Sequence, residues 1–215
     1  EHLDVDGAPC VGREGYASLR VEYDARGDMT RIGAFGVDGT PVIRRDGYAV
    51  MTHAYDLKGN CIQTRYFGAD GAPCTAKDGY ARIDERYDEA GQIVERRLFG
   101  ADDLPIAGAE GYAVLRVLRD GFGHPVRLDY FDTEDRPTLC RQGYAILHQA
   151  YDGYGNLEAL RCLDAEGRPI VSRLGFASAQ RTMDARGQLL SESFFGVDGE
   201  PILGPNGYAR LEFDY

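Results

Sequence analysis

From Ala49 to Tyr55 the chain alternates, with Ala49, Met51, His53 and Tyr55 on one side, and the pattern returns every 32 residues. Across the copies the position of Met51 reads Leu19, Met51, Ile83, Leu115, Leu147, Ala179 and Leu211. The intervening position is mostly polar: Arg20, Thr52, Asp84, Arg116, His148. Alternation with period two predicts a half-buried β-strand. A second run, Cys61 to Phe67, alternates less cleanly but is rich in Ile, Tyr and Phe and predicts the partner strand. If the first strand is regular, the column of Tyr23 and Tyr55 shares the core face with Leu19, and the column of Tyr48 points the other way.

The copies run over residues 3–34, 35–66, 67–98, 99–130, 131–162, 163–194 and 195–215, the last incomplete. Each contains three turn signals: G-x-D-G-x-P, x-D-G-Y-A and Y-D-x-x-G. Pro41 and Pro73, Gly47 and Gly79, and Asp56 and Asp88 are the recurring structural positions of these turns, where Gly supplies positive φ and Asp bonds its own backbone. With a turn about every ten residues no helix of useful length fits, so the fold class is all-β. An open, solenoid-like stack of β-hairpin repeats forming a single repeat domain over 1–215 is expected, because a unit this small buries too little apolar surface to fold alone. The alternative is a small-bladed β-propeller, whose blades usually need about 40 residues or more. Asp103 and Asp135 replace the turn glycine and are expected to keep its left-handed backbone. Pro125 and Arg119 make the copy at 99–130 the expected place for irregularity. The incomplete last copy and the start at Glu1-His2 read as a segment of a longer array or a larger protein.

The net charge is −11, with no cluster of Lys or Arg. This argues against nucleic acid as a partner, since that affinity rests on neutralising phosphates. No apolar run approaches the roughly 20 residues that span a bilayer, so no membrane insertion is expected in this segment. Four of the five cysteines replace apolar residues of other copies and read as small hydrophobes. His2, His53, His124 and His148 share no column, and neither a catalytic residue nor a metal ligand set is nominated. No cofactor and no enzymatic activity are expected. The column of Asp38 begins like a calcium loop only at Asp4-Val-Asp6, and it reads better as turn capping.

Eleven of the fourteen tyrosines fall in two columns. Tyr48, Tyr80, Tyr112 and Tyr144 are the candidate ligand-binding residues, as aromatic platforms for sugar rings or quaternary amines. The competing expectation for them is a ladder of stacked rings that holds copies together. The segment GYAVMTHAYDLKGN resembles the hairpins of choline- and glucan-binding cell-wall repeats, and AYDLKGNCIQTRYFGADG is similar to MORN-variant and YD-type repeats of bacterial proteins. The chain departs from the cell-wall binders in having no Trp, and its period is longer than theirs. The resemblance implies a bacterial, secreted or cell-surface, non-enzymatic repeat region. Two functions are therefore expected: an interaction or spacer module of a larger bacterial protein that binds a protein partner, or, alternatively, carbohydrate or cell-wall binding through the tyrosine ladder.

Overall fold

Three tight turns per copy leave room for two strands, and a computed structural model describing residues 1–215 contains thirteen strands and no helix. The chain divides into two compact units, 1–109 and 110–215. The first holds β1 (Ser18–Tyr23), β2 (Met29–Phe35), β3 (Val50–Tyr55), β4 (Cys61–Phe67), β5 (Arg82–Tyr87) and β6 (Ile93–Phe99). The second holds β7 (Val114–Arg119), β8 (Pro125–Phe131), β9 (Ile146–Tyr151), β10 (Leu157–Leu163), β11 (Ser178–Met183), β12 (Leu189–Phe195) and β13 (Arg210–Glu212). Within each unit the strands pair antiparallel in sequence order and do not close on themselves. Successive hairpins share one sheet, whereas propeller blades are separate sheets, so the open array holds and the propeller does not.

Each hairpin closes through the Y-D-x-x-G turn. Asp56 accepts hydrogen bonds from the backbone N–H of Lys58 at 2.8 Å and Asn60 at 2.9 Å, and Asp88 does the same for Ala90 and Gln92. A β-bulge on the second strand, across from the strand-end tyrosine, recurs in all six complete hairpins, at Ile62 in β4 where the register passes from Ala54 with Gln63 to Tyr55 with Cys61. The tyrosine keeps the alternation, on the side of His53 and Glu85, but it stands at the strand end, so the expected core burial is corrected: Tyr55, Tyr87 and Tyr151 are half-buried, and Tyr23 and Tyr215 are exposed. Their hydroxyls instead donate to a carbonyl of the preceding hairpin: Tyr55 to Met29 O at 2.7 Å, Tyr87 to Cys61 O at 2.8 Å, Tyr151 to Pro125 O at 3.3 Å and Tyr215 to Leu189 O at 3.1 Å. The expected irregularity of the fourth copy is also absent. Pro125 opens β8 beside the bulge at Val126, where the missing N–H is tolerated, and the register of β7 with β8 matches the other hairpins.

Between hairpins, the G-x-D-G-x-P turn is closed by isolated bridges such as Phe35 with Pro41 and Phe67 with Pro73. Asp103 and Asp135 stand there at φ 61° and 59°, as their replacement of glycine predicts. The x-D-G-Y-A turns bond to one another from copy to copy: Arg45 N to Glu14 O at 3.2 Å, Lys77 N to Asp46 O at 2.8 Å, Ala109 N to Asp78 O at 2.9 Å, Arg141 N to Glu110 O at 2.6 Å and Arg173 N to Gln142 O at 2.7 Å. Gly47 and Gly79 sit at φ +90° and +89° with the next copy's backbone against them. A Cβ on Gly79 would lie 3.1 Å from Ala109 N.

The alanine after the Gly-Tyr or Gly-Phe pair is buried in every copy but the last, and its N–H and carbonyl bridge two hairpins. Ala81 N donates to Phe99 O, and Tyr66 N donates to Ala81 O. The core of the second unit collects Tyr130, Cys140, Tyr144, Leu147, Cys162, Phe176, Ala179 and Phe194. All five cysteines are free.

Met183 occupies the strand-end position where most copies carry the latching tyrosine, and Leu157 O is the carbonyl in register with it. Met183→Tyr is expected to raise unfolding free energy by about 0.5–1.5 kcal/mol, the net worth of one hydrogen bond. Denaturant melts of the two proteins check this, and an unchanged or lower midpoint would contradict the latch.

Candidate functional site

The tyrosines nominated as ligand platforms pack against the rings of Tyr66 and Tyr130. The strand alternation does not continue through Ala49, where the chain bends, so Tyr48 lies on the same face as Met51 with its hydroxyl 3.8 Å from the Met51 sulfur. This corrects the expected orientation of the column. Tyr48 lies 4.7 Å from Tyr66, and Tyr66 lies 6.1 Å from Tyr80, centroid to centroid. In the second unit Tyr112, Tyr130 and Tyr144 repeat the series at 5.1 and 5.7 Å. Tyr48 and Tyr144 are buried, and Tyr80 and Tyr112 are half-buried. Burial pushes the Tyr144 hydroxyl up to about 12 and raises those of Tyr66 and Tyr130 further. These distances are those of ordinary aromatic pairs in a protein interior. The Asp38 carboxylate accepts from the N–H and hydroxyl of Thr40 at 3.0 and 2.7 Å, and Asp70 caps Ala72.

Positions that differ between copies converge on the opposite sheet face. In the first unit Gln63, Arg65, Arg82, Asp84 and Asp103 form one network there. Gln63 donates to Asp84 at 2.9 Å and accepts from Arg65 at 2.9 Å. Arg65 reaches Asp103 at 3.4 Å, and Arg82 donates to the same carboxylate while lying 3.7 Å above the Phe99 ring. Asp103 gets there because its G-x-D-G-x-P turn overhangs the face, and Asp135 meets Arg116 at 2.7 Å in the same way.

Three copies further on, the same positions carry Ala159, Arg161, Ser178, Gln180 and Gly199. Only the arginine is kept. The side chains lost leave a groove of about 520 Å³, open to solvent, with Ala150, Ala159, His148 and Arg161 along its floor and residues 196–199 overhanging it. Arg161 is exposed and, unlike Arg65 and Arg97, makes no ion pair within the chain. Cross-strand pairing puts His148 between Arg127 and Arg161. Burial lowers the His148 pKa, and both guanidiniums lower it further against the opposing pull of Asp129. A smaller cavity of about 320 Å³ lies one copy earlier, beneath Gly167, but there the central position is Asp129, already paired with Arg127 at 2.9 Å.

Sequence reading did not single out Arg161, Ala150, Ala159 or Gly199. The available signal was the column of Arg65, in which Arg161 keeps its charge while every residue that neutralises Arg65 is gone.

No protein-family model matches the chain, and no curated protein matches it. Among solved structures it is similar to a mutant Photorhabdus luminescens Tc holotoxin pore, at 13% identity over 90% of this chain and 9% of that chain, with a TM-score of 0.40. It is also similar to a complex titled TcdB2-TccC3-Cdc42, at 18% identity over 90% of this chain and 11% of that one, TM-score 0.25. A third, TcdB2-TccC3, gives 18% identity, 92% and 12% coverage and a TM-score of 0.26. The chain spans no more than 12% of the length of any of these three. Scores of this size leave fold and function to be argued from the chain itself.

His148 is expected to titrate below the ordinary histidine value of about 6.5. Its neutral form is the one the folded state favours, so stability contributed by this site is intact above that value and falls as acid protonates it. A proton NMR titration of the ring in the intact chain checks this, and a midpoint above the ordinary value would contradict the placement beside two guanidiniums.

Proposed function

We propose that the chain is a non-enzymatic β-hairpin repeat module of a larger bacterial protein, secreted or displayed at the cell surface. In this reading it acts as a spacer and binds a protein partner on the sheet face opposite the aromatic ladder. The observation that carries the reading is the division of labour between columns. The Gly, Pro, Tyr and Ala columns are nearly uniform and engaged in contacts between copies. Positions such as that of Arg20, Thr52, Asp84, Arg116, His148 and Gln180 vary from copy to copy and lie on the opposite face. Arrays of stacked repeats present extended surfaces of this kind, with the scaffold constant and the contact residues free to change. The open groove beside Arg161 is a concave part of that face in the second unit.

Selection of a random peptide library displayed on phage against the intact chain tests the reading. Peptides are expected to be enriched whose binding is lost in a variant with the groove filled, Ala150→Arg with Ala159→Glu. Those two residues are the paired positions that carry Arg86 and Glu95 in the third copy. No enrichment, or enriched peptides indifferent to the filled groove, would overturn it.

A further inference from the structure

The repeat supplies its own control for what the groove lacks. Arg65 and Asp103 are separated along the chain by the same number of residues as Arg161 and Gly199, so Gly199 occupies the place from which Asp103 neutralises an arginine. A Cβ added at Gly199 would meet nothing within 4 Å. Ser178, standing where Arg82 does, removes the second claimant on such a carboxylate. What remains is a guanidinium with an empty carboxylate position above it.

We propose that Arg161 anchors a Glu or Asp side chain of an extended acidic segment of a protein partner, which enters where Asp103 sits three copies earlier. This inference rests on the reading of that face as a partner-binding surface. A planar guanidinium takes a carboxylate in paired, charge-assisted hydrogen bonds, and this gives orientation as well as affinity. The floor of Ala150 and Ala159 leaves space for the partner's backbone beside the pair, and the Gln180 side chain provides a neutral donor and acceptor at the rim. An open groove favours a chain segment over a free small acid, because a small ligand binds where most of its surface can be covered. Asp198 lies in the overhanging turn and opposes an incoming carboxylate. Its counterpart Asp102 stands beside Asp103 in the filled site without preventing the pair, its own oxygen occupied by Leu104 N at 3.1 Å. The chain's net charge of −11 repels an acidic partner at long range, but at physiological salt that repulsion is screened beyond about 8 Å and the local cation decides the contact.

The test is fluorescence anisotropy on the intact chain with a fluorescein-labelled Glu-Gly repeat peptide, and with the Gln-Gly peptide as the neutral probe. The Glu-Gly peptide is expected to bind at least about tenfold more tightly, the size of one charge-assisted pair. Arg161→Gln and Gly199→Asp are each expected to abolish that preference. Gly199→Asp supplies the carboxylate from within the chain and should melt near the parent temperature, since Asp103 and Asp135 hold the same positive-φ turn position. If Gly199→Asp fails to fold, Arg161→Gln carries the test. Equal binding of the two peptides, or a preference that survives Arg161→Gln, overturns the proposal. Free glutarate competing as well as the peptide would overturn the protein-segment part of it. Selected library peptides that occupy the groove while Glu-Gly does not would defeat this inference alone, and no peptide at the groove would defeat the reading beneath it.

Discussion

Consecutive copies meet backbone to backbone at the x-D-G-Y-A turns, and the rest of the array depends on that approach. The amide of Lys77, Ala109, Arg141 or Arg173 donates to a carbonyl of the turn before it, at 2.6 to 2.9 Å, so the turns form a ladder of their own beside the sheet. A side chain at Gly79 would press on the next copy's amide while also forcing an unfavourable positive φ. Both demands fall on one residue; the positive φ recurs in every period, and the close approach recurs at Gly47, Gly79 and Gly111. An inserted residue would break the turn ladder and the strand register together, which accounts for a repeat with no change of length. In the last copy Pro205 takes the donor's position and has no N–H to give.

The aromatic residues fill the space this approach leaves. Tyr66, Tyr130 and Phe194 alternate along their column with Ala34, Leu98 and Cys162, so large rings and smaller side chains take turns from copy to copy. The ring of Tyr48, Tyr112 or Phe176 then packs on the large member at 4.7 to 5.2 Å. Gly204 shows how tight the fit is, since a Cβ there would lie 2.4 Å from the Phe194 ring. With one face spent on cohesion, the positions that vary between copies lie on the other. There Asp103 and Asp135 lock arginines in place and Gly199 does not.

Much of the fold was legible because each copy restates it. Turn chemistry fixed where Asp56 and Gly59 reverse the chain, and the alternation around Met51 located the strands. The replacement of glycine by Asp103 and Asp135 announced positive φ, and both have it. The orientation of Tyr48 was not legible, because period-two reasoning assumes a regular strand and the chain bends at Ala49. The role of Tyr55 was missed for another reason, since the alternation gives its side of the strand but not that its hydroxyl reaches Met29 O of the preceding hairpin. The groove could not be read from any single copy. It depends on Ala159, Arg161, Ser178 and Gly199 meeting across strands and an overhanging turn, and only the spatial network around Arg65 shows what is missing there.

The dependence on close contact between copies is measured most directly by comparing two glycines in one copy. Gly71 and Gly79 both hold positive φ, at +79° and +89°, but a Cβ on Gly71 meets nothing within 4 Å whereas one on Gly79 meets Ala109 N. Gly71→Ala should cost about 1–3 kcal/mol of unfolding free energy, the strain of a left-handed non-glycine residue. Gly79→Ala should cost at least about 1 kcal/mol more, because the neighbouring turn must move and its ladder hydrogen bond weakens. Equal losses in the two variants would mean that the glycine column serves only its own turn, and that the copies do not depend on meeting there.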